Sequence, residues 1–540
     1  MFKKFIKNTL SSLIAIIMVL MSALPVMAAD KTGVQIGEGA GNKLADASFK
    51  AYKVLEATKL TGKDSDGNSL YSYSVTPEWN EFFKDGANGY IFEGGEIKTA
   101  DTKQAITGDT HSTNTNSTAA HKLAVMMEIY AAKKNLAGEE IKNKPDVKEL
   151  EHGYYLIVET STGENEYTGT DGLKHKRVAS KPMLLSLTDK DNTTISITPK
   201  DSDTKLKKTT NGKANDSAMI GEDVPFKIET SFPVYSFEAN KRLDLQSIKF
   251  ELSDVFSAGL DFKKDSVTLK VGGQSKTLSD YATVSYDSNA RTATITFKTD
   301  KIVESQGLPV ELNYVATLNE NAVRNNIGND NTVTLTFNNN PNEKNSYKTL
   351  TDKTKTYTYD VIIHKYDGKD DPSKVKADDH SKETKLEGTE FGIYTDAGCN
   401  HPVNKNGKTL KIIIGSDNCF KIQGLKAGTY YLKETKTKAG YGEISGPIEF
   451  TIVEGTDGAA KLTLGTTLSG LAIEHGDDFV PAKPYKLQFK IPNTKGIRVP
   501  ETGATTKKLL MTVGAAAIIL GLVILVAGIS KGRNKKINSK

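Results

Sequence analysis

Short runs in which apolar and polar residues alternate recur along most of this 540-residue chain, separated by Gly, Asn and Asp. Tyr, Thr, Val and Ile dominate these runs. They favour β-strands, and a period of two gives each strand one buried and one exposed face. The pattern predicts a mainly β protein made of tandem immunoglobulin-like β-sandwich domains. The length allows roughly three domains of typical size.

Two stretches in the first third of the chain depart from this alternation. Pro77–Lys84 has the composition of a short helix, and Thr118–Leu136 carries apolar residues at helical spacing before Gly138. The sequence therefore predicts an N-terminal β-sandwich with helical insertions.

Residues 1–28 have the three parts of a secretory signal peptide. Lys3, Lys4 and Lys7 precede an uncharged apolar run over residues 10–26, and small residues follow. This order predicts cleavage after Ala28 and export of the chain. The alternative is an uncleaved anchor helix.

Residues 498–540 combine three features in a fixed order. A pentapeptide at residues 499–503 is followed by an uncharged apolar stretch over residues 509–529 and then by a basic tail. The apolar stretch would span about 31 Å as a helix, enough to cross a bilayer, and the basic tail is predicted to stay cytoplasmic. An ordinary single-pass anchor is the alternative. The pentapeptide consists of Val499, Pro500, Glu501, Thr502 and Gly503.

This order resembles the LPXTG cell-wall sorting signal of Gram-positive surface proteins, with Val499 at the usual Leu position. The resemblance implies that a sortase cleaves between Thr502 and Gly503 and joins the chain covalently through Thr502. Sortase and peptidoglycan are therefore expected partners, and the protein is expected to be secreted and anchored to the cell wall.

The charge of the mature chain argues against nucleic acid as a partner. The formal net charge of +5 includes three Lys within residues 1–28 and seven basic residues within 504–540; without them it is −5. The histidines show no metal-ligand spacing, and no nucleophile–His–acid signature stands out. We therefore expect no cofactor, no metal and no enzymatic active site.

Polar stretches divide the mature chain into three predicted domains ahead of the sorting signal. The first covers residues 29–200 and is followed by the polar link Asp201–Thr204. The second covers residues 201–356, with the polar stretch Asn338–Lys355 near its end, and the third covers residues 357–497.

Alternation places an amine, an acid and a carboxamide on core-facing sides of three predicted strands in the third domain. A buried Lys, Glu and Asn that formed no bond would be costly. Desolvation lowers the pKa of a buried amine and raises that of a buried acid, so a neutral amine could attack the Asn carbonyl and release ammonia. The alternative is a surface Lys, a surface Glu and a turn Asn. Lys365 shares its face with Val361 and Ile363, Glu434 with Tyr430 and Leu432, and Asn493 with Leu487, Phe489 and Ile491.

These segments resemble a collagen-adhesin B-type (Cna B) domain, the last module of many Gram-positive backbone pilins. The resemblance implies an internal isopeptide bond between Lys365 and Asn493, promoted by Glu434 of the "E-box". The E-box usually has Ala-Pro before its Gly-Tyr, whereas this chain has Thr437–Ala439 before Gly440. The departure changes the loop and leaves the acid in place.

The middle domain is similar to the corresponding domain of the same pilins, in which an Asp often supplies the acid. Alternation places Lys208 with Leu206, Asp254 with Leu252, and Asn331 with Val333. We predict a Lys208–Asn331 bond promoted by Asp254. Lys207 is the alternative nucleophile if the register is one residue off.

Residues 195–200 resemble the pilin motif, although Thr198 stands where the family has Tyr. The resemblance assigns Lys200 as the nucleophile that attacks the acyl-sortase carrying Thr502 of the next subunit. A solvated linker lysine is the alternative.

The first domain contains no convincing Lys and Asn pair. Tyr155, Ile157 and Glu159 repeat the E-box alternation, so Glu159 is expected to be either a polar core residue or exposed. A third isopeptide bond is left open.

Cys399 and Cys419 are the two cysteines of the chain, and both fall in the third domain. Because exported proteins meet an oxidising environment, we predict a disulfide between them.

Taken together, the resemblance implies the major shaft subunit of a sortase-assembled pilus. Its partners would be sortase, other copies of itself, tip and base pilins, and peptidoglycan. The alternative is a wall-anchored monomeric adhesin of the same modules that binds a host-surface ligand. Lys200 separates the two, because an adhesin needs no polymerisation lysine.

Overall fold

The computed structural model describes residues 30–37, 44, 47–103, 119–141, 145–163, 166–188, 194–199, 202–235, 248–340, 346–369, 384–455, 458–465 and 487–495. The predicted signal peptide, Lys200 and the sorting signal with its apolar stretch at 509–529 lie outside these residues. Within them, no helix combines the length and the apolar character that crossing a bilayer requires.

The N-terminal part forms two small sheets and a helical insertion. One sheet has the order β12-β1-β7 and the other β11-β8-β2-β3, with β6 paired to β2; β4 and β5 form a hairpin. The strands are β1 (Lys31–Ile36), β2 (Ser48–Lys63), β3 (Ser69–Val75), β4 (Tyr90–Glu93), β5 (Glu96–Thr99), β6 (Glu139–Ile141), β7 (Lys148–Glu151), β8 (Gly153–Ser161), β9 (Glu166–Thr168), β10 (Lys174–Val178), β11 (Met183–Leu187) and β12 (Ile195–Ile197).

The helical insertions predicted from the sequence are confirmed. Two single 3-10 turns, Pro77–Trp79 and Lys84–Gly86, flank α1 (Asn80–Phe83), and α2 spans Ala119–Lys134. The buried face of α2 packs on Trp79 and on the strands beneath it, which explains the apolar spacing in this stretch.

The middle part is a β-sandwich. One sheet has the order β19-β18-β22-β15-β13, with β17 paired to β22, and the other has the order β14-β24-β23-β16-β21-β20. Its core is a single apolar cluster between the sheets. The strands are β13 (Ser202–Thr210), β14 (Asn215–Ser217), β15 (Asp223–Ser231), β16 (Phe250–Phe256), β17 (Leu260–Phe262), β18 (Thr268–Val271), β19 (Gln274–Lys276), β20 (Ala282–Asp287), β21 (Thr292–Phe297), β22 (Pro309–Leu318), β23 (Asn325–Asn338) and β24 (Tyr347–Asp367); the helices are a 3-10 turn (Lys264–Ser266), α3 (Leu278–Tyr281) and α4 (Thr299–Glu304).

A hairpin from the N-terminal part extends the first of these sheets. β10 pairs antiparallel with β13, from Lys174 opposite Leu206 to Val178 opposite Ser202, and β9 pairs with β10. Residues 166–178 therefore belong to the middle sheet, although they precede the predicted boundary at residue 200.

The third part is a second sandwich, so tandem β-sandwiches are confirmed. Its sheet β28-β25-β30-β31-β32 faces a sheet in which β24 lies between β29 and β33, and an apolar cluster fills the space between them. The strands are β25 (Glu390–Tyr394), β26 (Asn404–Lys405), β27 (Lys408–Thr409), β28 (Lys411–Ile413), β29 (Cys419–Leu425), β30 (Gly428–Lys436), β31 (Ile448–Glu454), β32 (Ala460–Leu464) and β33 (Leu487–Asn493).

One strand connects the two sandwiches without a break. β24 is 21 residues long, about 70 Å at the usual rise, and is rich in Thr, Tyr, Val and Ile. Its first half, up to Thr358, pairs with β23 of the middle domain, and its second half pairs with β29 and β33. Much of the polar stretch 338–355 is therefore strand.

Candidate functional sites

The structure brings Lys208, Asp254 and Asn331 together between the two sheets of the middle domain. Lys208 extends from β13, whereas Asp254 and Asn331 extend from β16 and β23 of the facing sheet. The Lys208 Nζ atom lies 2.7 and 2.8 Å from the two carboxylate oxygens of Asp254. All three side chains are buried, so a bond between Lys208 and Asn331 would join the two sheets covalently.

Burial shifts the pKa of both titratable groups in this cluster. It lowers the pKa of Lys208, against the attraction of the Asp254 carboxylate, and it raises the pKa of Asp254, against the attraction of the Lys208 amine. Both shifts favour the uncharged pair, in which the amine is nucleophilic and the acid holds a proton. The Lys208 Nζ also lies over the aromatic ring of Phe226, 5.5 Å from its centroid.

The structure also settles which of the two adjacent lysines meets the acid. Lys208 lies on the buried face of β13 beside Leu206, whereas Lys207 lies on the other face and is half-buried. The amine that contacts Asp254 is therefore that of Lys208.

Lys365, Glu434 and Asn493 form a second buried cluster in the third domain. Lys365 and Asn493 lie on the neighbouring parallel strands β24 and β33, and Glu434 lies on β30 of the opposite sheet. The Lys365 Nζ is 3.7 Å from Glu434 Oε1 and donates to the Pro492 carbonyl oxygen at 3.2 Å. A Lys365–Asn493 bond would therefore link two strands of one sheet, unlike the bond predicted in the middle domain.

Burial lowers the pKa of Lys365 from 10.5 to about 8, although Glu434 opposes the shift. Glu434 Oε2 accepts a hydrogen bond from the Ile444 backbone N–H at 2.8 Å, which fixes the carboxyl group. Within the described residues, Glu434 Oε1 and Asn493 Oδ1 accept no hydrogen bond. Buried oxygens without a donor are uncommon, and both belong to groups that the predicted reaction would protonate or polarise.

Sequence reasoning missed two hydroxyl groups that contact the carboxamide nitrogens. Asn331 Nδ2 donates to Tyr314 Oη at 3.0 Å, and Asn493 Nδ2 donates to Thr437 Oγ1 at 3.0 Å. Tyr314 lies on the buried side of β22, which alternates in exposure, so the period of two could have placed it in the core. Thr437 belongs to the segment in which this chain departs from the usual E-box.

Glu159 is a polar core residue, one of the two outcomes left open for it. Its carboxylate accepts hydrogen bonds from Arg177 Nη1 at 2.7 Å, Arg177 Nη2 at 3.0 Å and the Ser180 backbone N–H at 2.7 Å. A guanidinium rather than a lysine amine faces this acid. The cluster therefore lacks the nucleophile of the other two.

The predicted disulfide between Cys399 and Cys419 is not formed, and both residues are thiols. Cys399 lies in the turn after β25, whereas Cys419 begins β29 opposite His364 in the other sheet of the sandwich. Membership of one domain was thus insufficient to predict the pair, because the two residues belong to facing layers.

The remaining predicted residues can be placed only in part. Ile195–Ile197 of the pilin-like segment forms β12, parallel to β1, and Pro199 is buried. Lys200 and all five sorting-motif residues, including Thr502, lie outside the described residues. No group of three or more potential metal ligands occurs within the part of the chain that the structure describes.

Tandem β-sandwiches with a buried Lys–acid–Asn cluster in each of two successive domains define a class of modular β protein. Comparison with known families identifies the modules. Residues 220–341 match the family described as Gram-positive pilin backbone subunit 2, Cna-B-like domain, and residues 372–466 match the SpaA prealbumin-like fold domain. The chain thus carries one domain that matches a Gram-positive pilin backbone family and a second that matches a prealbumin-like family.

Individual proteins of known sequence or structure are also similar to this chain. A 245-residue segment is 23% identical to the trypsin-resistant surface T6 protein of Streptococcus pyogenes serotype M6 and covers 42% of this chain and 40% of that protein. The solved T6 backbone pilin, described as a modular three-domain structure with variable loops and extensions, matches at a TM-score of 0.51 and 14% identity, over 88% of this chain and 100% of that one. The full-length major pilin SpaD of Corynebacterium diphtheriae matches with 18% identity and a TM-score of 0.45, over 88% and 100%.

Proposed function

We propose that this protein is the shaft subunit of a covalently polymerised pilus on a Gram-positive cell surface. The observation that carries the proposal is the pair of buried Lys–acid–Asn clusters in consecutive domains, of which the first matches a pilin backbone family and the second a prealbumin-like family. The wall-anchored monomeric adhesin is less favoured, because the matched family is that of the pilin backbone and not of a ligand-binding module.

Each cluster is proposed to form an internal isopeptide bond. The neutral lysine Nζ attacks the asparagine Cγ, a new C–N bond forms, and the Cγ–Nδ2 bond breaks with release of ammonia. Asp254 promotes the Lys208–Asn331 bond and Glu434 promotes the Lys365–Asn493 bond. Their proximity, burial and the lowered lysine pKa values support this chemistry.

Sortase is proposed to catalyse both steps of assembly, the cleavage of one subunit and its transfer to the next. Sortase breaks the Thr502–Gly503 peptide bond, and the Lys200 amine of the next subunit takes the Thr502 acyl group, which makes the shaft a covalent homopolymer. Tip and base pilins would complete the fibre, and transfer of the last Thr502 to a peptidoglycan precursor would anchor it. The signal-peptide and sorting-signal patterns at the two ends of the sequence support this route.

Denaturing gels of cell-wall extracts test the assembly. Wild-type cells should give a high-molecular-weight ladder, Lys200→Ala should leave a single wall-linked monomer, and Thr502→Ala should abolish both products. Lys207→Ala is the matched control and should keep the ladder. A ladder in Lys200→Ala cells would show that another lysine is the nucleophile, and a wild-type monomer would favour the adhesin.

A further inference from the structure

The Tyr314 hydroxyl lies at the centre of the middle-domain cluster. Tyr314 extends from β22, opposite Phe226 on β15, and its ring stacks on that of Phe226 with centroids 5.5 Å apart. The side chain is buried, and its hydroxyl points into the space between the sheets, where Lys208, Asp254 and Asn331 meet.

The hydroxyl contacts all three members of the cluster. Tyr314 Oη donates to Asp254 Oδ2 and accepts from Lys208 Nζ, and it accepts from Asn331 Nδ2 at 3.0 Å. The hydrogen bonds of the Asp254 carboxylate go to Lys208 and Tyr314, whereas the Asn331 carboxamide nitrogen bonds to Tyr314. The tyrosine is therefore the link between the acid and the nitrogen that must leave.

We propose that Tyr314 is a catalytic residue of Lys208–Asn331 bond formation and delivers the proton that releases Asn331 Nδ2 as ammonia. The proposal rests on the isopeptide chemistry proposed above and assigns a further group to it. It accounts for a buried hydroxyl in contact with the nucleophile, the acid and the leaving group at once.

The proton balance closes within these four residues. As Lys208 Nζ bonds to Asn331 Cγ, it gives one proton to Asp254 Oδ1, 2.7 Å away. Asp254 already holds a proton on Oδ2 and passes that second proton to Tyr314 Oη, while Tyr314 passes its own hydroxyl proton to Asn331 Nδ2. The Cγ–Nδ2 bond breaks and ammonia leaves. Tyr314 ends as a neutral hydroxyl and Asp254 as a neutral acid whose proton is now on Oδ1; before the transfer the tyrosine hydroxyl proton needs only to rotate about the C–O bond.

The third domain supplies an internal control. There the carboxamide nitrogen of Asn493 donates to Thr437, and the amine faces Glu434, so no tyrosine joins the acid to the leaving group in the contacts of the described residues. A change at Tyr314 should therefore slow one bond and leave the other intact, and both can be counted in one intact-mass measurement.

Tyr314→Phe in the mature chain, made without sortase, tests the proposal. The ring and its packing stay, the hydroxyl goes, and closure of the Lys208–Asn331 bond should slow roughly 100-fold or more, the usual contribution of a general acid. The purified variant should then be one ammonia heavier than wild type. Tyr235→Phe is the matched control, because it removes another buried hydroxyl of this domain, one that donates to the Asn338 carbonyl.

A second variant decides the question if Tyr314→Phe does not fold. Incorporation of 3-fluorotyrosine at position 314 keeps the hydroxyl and the packing but makes the hydroxyl more acidic. The time course of bond closure in cell-free synthesis should then change, and an unchanged time course would overturn the assignment. A Tyr314→Phe chain that matches wild type in mass and closure rate refutes the role of Tyr314 alone, whereas a wild-type chain without the mass loss refutes the underlying bond.

Discussion

At the scale of single residues, the two clusters differ in how the acid holds the amine. Asp254 meets Lys208 with both carboxylate oxygens, 2.7 and 2.8 Å from Nζ, whereas Glu434 Oε1 stays 3.7 Å from Lys365 Nζ. In both clusters burial lowers the pKa of the lysine. A lysine buried this completely is costly to retain unless its amine is paired with an acid or has reacted.

The isopeptide proposal predicts a loss of mass for each bond, and each loss should depend on the acid of its own cluster. The mature chain should be lighter than its sequence by two ammonia molecules, and Asp254→Ala and Glu434→Ala should each restore one. Asp352→Asn is the matched control: its carboxylate accepts from the Lys208 backbone N–H and not from the amine, so both bonds should form. An undiminished wild-type mass would contradict both bonds.

At the scale of elements, strand alternation explains how much of the sites could be predicted. A period of two identifies which residues of one strand face the core, so Lys208, Asp254 and Asn331 could be chosen from three separate strands. Alternation does not say which strands face each other. Tyr314 was therefore missed, although its strand alternates clearly, because its role depends on pairing with β15 and on the facing sheet.

Two further elements also escaped prediction. The hairpin of β9 and β10 leaves the N-terminal part and joins the middle sheet, a long-range pairing that local pattern does not encode. The sequence did not reveal that β24 is continuous, because its first half is rich in polar residues. Those residues belong to a strand with one exposed face. The polar composition of residues 338–355 indicated a domain boundary, where the fold has a strand that both domains share.

The β10 hairpin also carries the ion pair that fixes it to the N-terminal part, and this predicts a local loss of stability. Glu159→Gln would leave the buried Arg177 guanidinium without its carboxylate and should destabilise the N-terminal part by about 3–5 kcal/mol. Trp79, the one tryptophan of the chain, is buried in that part, so its fluorescence during denaturant unfolding reports on this region.

The control for that variant is an exposed ion pair of the same region. Glu151 bonds to Lys53 at 2.8 Å, but the glutamate side chain is 48% exposed. Exposed pairs contribute about 0–1 kcal/mol, so Glu151→Gln should move the Trp79 transition little. Equal shifts in the two variants would show that the buried pair does not hold the hairpin in place.

At the scale of the whole molecule, the order of the proposed linkages determines how tension crosses a subunit. Along the chain this order is Lys200, Lys208, Asn331, Lys365, Asn493 and Thr502. Each internal bond bridges a segment of more than a hundred residues, and closing a loop of that size contributes roughly 5 kcal/mol if the disulfide estimate transfers. Tension that enters at Lys200 would therefore bypass the interior of both sandwiches.

The segment between the two proposed bonds, from Asn331 to Lys365, is the part of the chain that can lengthen under tension. Asn331 is paired with Thr354, and from there the two strands β23 and β24 stay paired as far as Asn338 and Tyr347. Pulling Asn331 and Lys365 apart would shear this hairpin and release residues 332–353, about 75 Å of extended chain. The connector from Lys200 to Lys208 is much shorter.

Single-molecule force extension should therefore show no step longer than this hairpin. Handles can be attached through Lys200→Cys and Thr502→Cys in a chain that also carries Cys399→Ala and Cys419→Ala. With both bonds closed, the largest step should be about 75 Å, whereas unfolding the segment between Lys208 and Asn331 would release roughly 400 Å. Asp254→Ala, which leaves the middle domain unlinked, should add that longer step and serves as the positive control. A 400 Å step in the wild-type chain would show that tension does cross the middle sandwich through its sheets.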